Sequence, residues 1–226
     1  MLLLSTYICY KWGVATGSAT AKRTYHHGDL KRTLLEAALE VIRDVGHQSF
    51  TLREVARRAG VSHNAPYRHF RDKEHLLATV AAQGFERLEQ YMADAARPGR
   101  TAMERLHGSG RGYVAFALAH PEHFAAMFER PAQGSEDEAA RTAGKRAFQA
   151  LVAHVTACQA DGTMPPGDPL PMALVAWSAV HGIAKLAISG NLPFASAEEI
   201  FAFTRVMTDV IEQGAYAFGK GRRKRR

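Results

Sequence analysis

The chain has 226 residues, 46% hydrophobic and 23% charged, with 19 Gly and 9 Pro, a composition that excludes disordered, collagen-like and low-complexity chains and suits one domain or two small ones. Two cysteines, Cys9 and Cys158, cannot build a disulfide scaffold or a four-cysteine zinc site, so a cytoplasmic, reducing setting is expected. The net charge of +7 is unevenly spread: residues 22–73 carry +5, residues 220–226 hold six positives and no negatives, and the rest is acidic. A polyanion partner for one part of the molecule fits this pattern, as does a solvated basic face.

In chain order, residues 1–21 come first. Their apolar stretch, Met1 to Tyr10, is too short to cross a bilayer, which needs about 20 residues, and no basic residue precedes it as in an export signal. A dispensable, disordered leader and no membrane association are expected. The arm Lys22-Arg23-Thr24-Tyr25 comes next, where Arg23 and Thr24 offer a cation and a hydroxyl to the phosphates or groove of a polyanion such as a nucleic acid.

From there the apolar period is helical and no alternating strand pattern appears, so the fold class is all-α. Helices are expected near 29–45, 51–59, 63–70, 72–96, 101–119, 121–130, 135–160, 169–189 and 196–218. Capping boxes at Thr51/Glu54, Thr101/Glu104, Ser135/Glu138 and Ser196/Glu199 mark four of the starts, and Gly46, Gly60, Gly190 and Pro98-Gly99 mark stops. The expected divisions are a leader over 1–21, a basic helical domain over 22–72, a larger helical domain over 73–218, and a disordered basic tail over 219–226.

Residues 51–70 have the ingredients of a helix-turn-helix. Thr51 caps the first helix, Phe50 and Val55 can close a hydrophobic staple, and Gly60 supplies a left-handed turn residue. Val61 plugs the core and Ser62 caps the second helix. Pro66 breaks the rule for a stable helix, which points to a functional surface. Around it His63, Asn64, Tyr67, Arg68 and His69 are polar, aromatic and basic, the residue types that read base edges and hold phosphates. Lys73, just inside the next helix, adds a cation.

Tyr25-His26-His27-Gly28-Asp29-Leu30, the Thr51 to Phe70 motif and Arg71-Asp72-Lys73-Glu74-His75-Leu76-Leu77 together resemble the N-terminal domain of the TetR family of transcriptional regulators. Trp177-Ser-Ala-Val-His181-Gly182 is similar to the Trp/His/Gly motif of one TetR subgroup. The resemblance implies a homodimer on a palindromic double-stranded DNA operator, with a small-molecule effector changing the separation of the two reading elements. By position it places Arg53, His63, Asn64 and Ala65 at bases, and Thr51, Ser62, Tyr67, His69 and Lys73 at phosphates.

In the body of the chain, Ala173, Ala176, Val180, Ile183 and Ala187 form a small-residue stripe suited either to a dimer seam with the last helix or to an internal core; the resemblance favours the seam. Tyr113, Phe116, His120, Phe124, Met127 and Phe128, with Trp177 and His181, are candidate walls of an effector pocket or plain core. His26-His27 is a loop pair and Pro121 splits His120 from His123, so no metal or cofactor is expected. Gly108, Gly110 and Gly112 follow a helical pattern, which removes a dinucleotide-binding reading, and no nucleophile motif points to an enzyme. The expected function is a sequence-specific regulator, a repressor released by its effector. The alternative is a nonspecific nucleic-acid-binding or architectural protein that uses its basic ends.

Overall fold

The computed structural model describes residues 30–128 and 138–223, without the side chains of 47, 48 and 216–223. The leader, the arm with Arg23 and Thr24, and the Ser135/Glu138 box lie outside the described residues, as do the side chains of the basic tail. All the regular secondary structure described is helical: α1 (Leu30–Ser49), α2 (Leu52–Arg58), a 3-10 turn (Pro66–Arg68), α3 (Lys73–Ala96), α4 (Ala102–Ala119), α5 (Pro121–Phe128), α6 (Glu138–Ala160), α7 (Pro169–Ile188) and α8 (Ala197–Arg223). Gly46, at φ 78°, interrupts α1 where the sequence places its stop. At the other end α8 continues past the expected end at 218 to Arg223.

The caps form as their chemistry requires. Glu104 N donates to Thr101 Oγ1 (3.1 Å) while Thr101 N donates to Glu104 Oε2 (3.2 Å), and Ser196 and Glu199 repeat the exchange. At α2 only half the box closes. Glu54 N donates to Thr51 Oγ1 (3.2 Å), but the Glu54 carboxylate turns to Arg57, whose Nε donates to it at 2.8 Å.

The described residues divide into two compact units, one of residues 30–86 with 120–128 and 138–145, the other of 87–119 with 146–223. The unit that contains the helix-turn-helix thus extends beyond residue 72 to Glu86. In it α1 packs on α2 and α5, and Leu34, Val41, Phe50, Val55, Phe70, Leu76 and Val80 are sealed beneath them. Each such side chain contributes about 1.5–3 kcal/mol by leaving water. In the other unit α4 packs against α7 and α8, which also pack on each other.

One expected helix is absent. Instead of a helix over 63–70 the backbone makes a tight turn and the 3-10 element. Pro66 has no N–H to offer, so Ser62 O accepts from Ala65 N (2.9 Å), Arg68 N returns to Ala65 O (3.2 Å), and His69 N and Phe70 N both converge on Pro66 O (2.9 Å each).

The small stripe also behaves differently from the seam expected of it. Ala173, Val180, Ile183 and Ala187 are buried inside the chain, because small residues permit close approach to whichever helix is nearest, here α4 and α8. The exposed apolar side chains lie elsewhere: Leu170, Leu174, Val175 and Leu186 on α7, with Val206 and Val210 on α8.

Candidate nucleic-acid interface and effector cavity

The helix-turn-helix hook is anchored from beneath. Phe50, Leu52, Val55, Ala56, Ala65, Pro66 and Phe70 point into the core, and Gly60, at φ 69°, makes the left-handed turn that brings Val61 N onto Ala56 O (3.0 Å). With those residues turned in, Ser62, His63, Asn64, Tyr67, Arg68 and His69 all face outward, as do Thr51 and Arg53 on α2. Tyr67 is 59% exposed, a large aromatic that a purely structural role would have covered. Ala65, expected at a base, is buried at 8% exposure; its methyl belongs to the core side of the turn.

The cations around the hook divide into two sets. Arg58 is tied to Asp44 (2.8 Å) and Glu40 (3.7 Å), and Arg57 to Glu54, whose carboxyl is held below its usual range by that hydrogen bond. The Arg58 pairs join α2 to α1, the Arg57 pair lies within α2, and such surface pairs add little stability. Arg53, Arg68 and Arg71 lie exposed around the 3-10 turn. Lys73 stands with its ammonium 5.6 Å from the centre of the Phe50 ring, at the start of α3, where Asp72 Oδ1 caps by accepting from His75 N (2.7 Å). The hook therefore offers donors and positive charge on a face whose backbone is already fixed.

The second unit holds a cavity of about 40 Å³, lined by Met92, Met103, Leu106, His107, Ser109, Gly110, Tyr113, Leu151, Met164, Ala176, Trp177, Val180, Thr208 and Ile211. That is room for about three waters. Beside it runs a short hydrogen-bond chain. Trp177 Nε1, which can only donate, reaches the Tyr113 hydroxyl oxygen (3.3 Å), and the same hydroxyl shares a hydrogen bond with His181 Nδ1 (2.8 Å). Burial pushes the Tyr113 hydroxyl well above its ordinary range, and burial, then the nearby Lys185 charge, pushes His181 down. Both groups are neutral at pH 7.

The predicted effector-pocket residues are not gathered into one wall. Tyr113 and Trp177 line the cavity and His181 is bonded to Tyr113, whereas Phe116 is fully buried edge-on to Tyr91 (5.8 Å) and does not line it. His120, Phe124, Met127 and Phe128 belong to the other unit, because Pro121 starts a new helix there that packs on α1. Phe124 stacks on Phe128 at 4.8 Å, and Met127 packs against Gly84, where an added Cβ would lie 3.0 Å from its Cγ. Among the lining residues missed, Met103, Leu106, His107 and Gly110 are on α4 and follow one helical stripe along the cavity with Tyr113. That stripe is legible in the sequence once the glycines at 108, 110 and 112 are read as helical.

Those glycines have a packing role. A Cβ on Gly108 would come within 2.9 Å of Ala96 Cα, and one on Gly112 within 2.8 Å of Met92 Cα, so α4 lies backbone to backbone on the end of α3.

Comparison with known proteins places these two units. The family described as "Bacterial regulatory proteins, tetR family" matches residues 34–80, and the one described as "Tetracyclin repressor-like, C-terminal domain" matches residues 106–210. A solved structure of a protein of unknown function from Rhodococcus sp. RHA1 is 37% identical, with 86% of this chain and 99% of that one covered and a TM-score of 0.74. The regulator FadR from Bacillus subtilis in complex with stearoyl-CoA shares the fold at 16% identity, with 81% of this chain and 98% of that one covered and a TM-score of 0.69. The HTH-type transcriptional repressor KstR of Mycolicibacterium smegmatis is 34% identical over 77 residues, 34% of this chain and 38% of its own length. The match therefore spans well under half of that curated relative. With its helix-turn-helix unit and its C-terminal helical unit each matched in order, the chain belongs to the TetR family of bacterial regulatory proteins.

Proposed function

We propose that the chain is a sequence-specific DNA-binding transcriptional repressor that works as a homodimer in the cytoplasm and changes its operator affinity when a small apolar effector enters the C-terminal unit. The observation that carries this reading is the hook itself. His63, Asn64, Tyr67, Arg68 and His69 are outward and their backbone is held by a sealed core, an arrangement made for contact with an external polyanion. The matched segment of KstR, a repressor, points the same way.

Pairing through α7 and α8 is supported by what those helices expose. By length and composition α7 is apolar enough to cross a membrane, yet Ala173, Val180, Ile183, Ala184 and Ala187 are buried within the chain and Trp177 joins the Tyr113 network. Its remaining apolar face, Leu170, Leu174, Val175 and Leu186, with Val206 and Val210 of α8, suits a second copy of the same two helices. For the effector, a 40 Å³ space is too small as it stands, and the flexible Met92, Met103 and Met164 side chains on its wall are the groups able to swing aside. The stearoyl-CoA of the FadR complex is one example of an apolar chain held by this fold.

The test is selection of bound sites from a random DNA pool by the full chain. A two-fold symmetric consensus is expected, with specific over scrambled affinity differing by about 10³-fold or more. Equal affinity for all duplexes, falling together with salt, would replace the repressor reading with a nonspecific nucleic-acid-binding one.

A further inference from the structure

We propose that His107, Asp209 and Glu212 form a binding site for a divalent first-row transition ion, of which Zn²⁺ is the probe, at the edge of the cavity between α4 and α8. Asp209 and Glu212 are one turn apart on α8, so their carboxylates share a face, and that face meets the His107 ring on α4. His107 Nε2 lies 3.6 Å from Glu212 Oε2 and Nδ1 lies 3.8 Å from Asp209 Oδ1. One donor atom from each residue falls within 4.8 Å of the other two. Bonds of about 2.1 Å to a common ion would set neighbouring donors about 3–3.5 Å apart. An ion takes one ring nitrogen only, so the carboxylate now nearer the other nitrogen must swing toward it, and the two carboxylates, 40% and 33% exposed, have the freedom to do so.

The burial of the imidazole points to a ligand independently of the spacing. His107 is only 7% exposed, both its ring nitrogens are buried, and neither has a hydrogen-bond partner. A buried imidazole gives up its water and here receives nothing in return, which is rare in a settled core. The two carboxylates accept and cannot donate, so they leave the lone pair of a neutral ring unanswered, whereas a cation answers both the lone pair and the carboxylates. Burial, followed by the Arg205 charge, holds His107 below its ordinary pKa, so it is neutral and available as a ligand at pH 7. Two carboxylates match the charge of a dication. Arg205 Nε donates to Asp209 Oδ1 (2.8 Å) and, being exposed, serves as the outer partner that orients that carboxylate.

One imidazole nitrogen with two carboxylates selects the class of ion. Imidazole suits Zn²⁺ and its neighbours in the first row, while Mg²⁺ and Ca²⁺ prefer all-oxygen sets. His107 also lines the cavity, so an ion held here would cross-link a wall helix to α8. The local spacing that argued against a metal in the sequence could not register ligands a hundred residues apart.

The experiment is calorimetric titration of the full-length chain, stripped with chelator, with ZnCl₂ and in parallel with MgCl₂. The expected result is saturable binding of one Zn²⁺ per chain, with Mg²⁺ at least about 100-fold weaker. His107→Gln and Glu212→Gln should each weaken Zn²⁺ binding by about tenfold or more. His154→Gln, with a half-buried His on α6, should leave it unchanged and controls for the chain's 11 histidines. Melting curves of every variant check folding, and Glu212→Gln, at the solvent edge, decides the matter if His107→Gln does not fold. No saturable Zn²⁺ binding by the folded wild type, or unaltered affinity and stoichiometry in the variants, would overturn the site.

Discussion

The Tyr113 hydroxyl lies 2.8 Å from His181 Nδ1 and accepts from Trp177 Nε1, and through it α4 is joined to α7 at two positions one turn apart. Removing the hydroxyl takes away the group that the Trp177 indole N–H and His181 Nδ1 share in a half-buried place. Tyr113→Phe should cost about 1–3 kcal/mol. Urea unfolding at constant m-value measures it, and an unchanged midpoint would show that water replaces the phenol without loss.

Acid should act through the same bond. His181 has its pKa lowered by burial, so the unfolded chain takes up the proton first as pH falls below the ordinary value of 6.5. The stabilisation is complete above that value and is lost as pH drops toward the folded pKa, because the unfolded state then binds more protons. Protonated His181 would also present a second donor to Tyr113. Melting temperatures at pH 7.5 and 5.5 should therefore differ more in the wild type than in His181→Gln.

Gly108→Ala and Gly112→Ala each place a methyl against the backbone of α3, which must move away, and overpacking of this kind costs about 1–3 kcal/mol. Gly214→Ala, in a helix with nothing within 4 Å of the added carbon, should be neutral or stabilising by up to about 1 kcal/mol. Thermal denaturation of the three variants tests the contrast, and equal behaviour would rule out the close contact between α3 and α4.

On DNA, Asn64→Ala should relax base preference at one operator position at a cost of about 1–3 kcal/mol, whereas Lys73→Ala should weaken every sequence alike and lower the salt slope by about one. Quantitative binding at several salt concentrations separates the two. Unaltered preference in the first variant would take Asn64 out of the reading set.

A charge in the exposed apolar face should separate the subunits. Val206→Asp and Leu174→Glu alter side chains that are 57% and 43% exposed in the single chain and so should leave its fold intact. Sedimentation is expected to show monomers and the loss of tight operator binding. A dimer that persists in both variants would place the interface elsewhere.

Local rules carried most of the fold. Caps at Thr101 and Ser196, stops at Gly46 and Gly190, and the period of α1 are short-range facts, and short-range chemistry decided them. The hook was legible for the same reason, apart from Pro66, which shortened its second helix to a single 3-10 turn. The effector region was not. Whether Ala173 and Val180 face a partner or their own α4, and whether Phe124 shares a wall with Tyr113, depends on which helices meet, and one sequence's periodicity is the same in either case. His107, Asp209 and Glu212 were invisible on the same ground.

The division at the reading turn between residues that hold it and residues that look outward has an evolutionary consequence. Ala65, Pro66 and Phe70 do the holding, so on the proposed reading exchanges at His63, Asn64 or Arg68 would alter which target the protein prefers while leaving its robustness almost untouched. Descendants of such a chain would then be able to drift to new genomic addresses one letter at a time through folded intermediates.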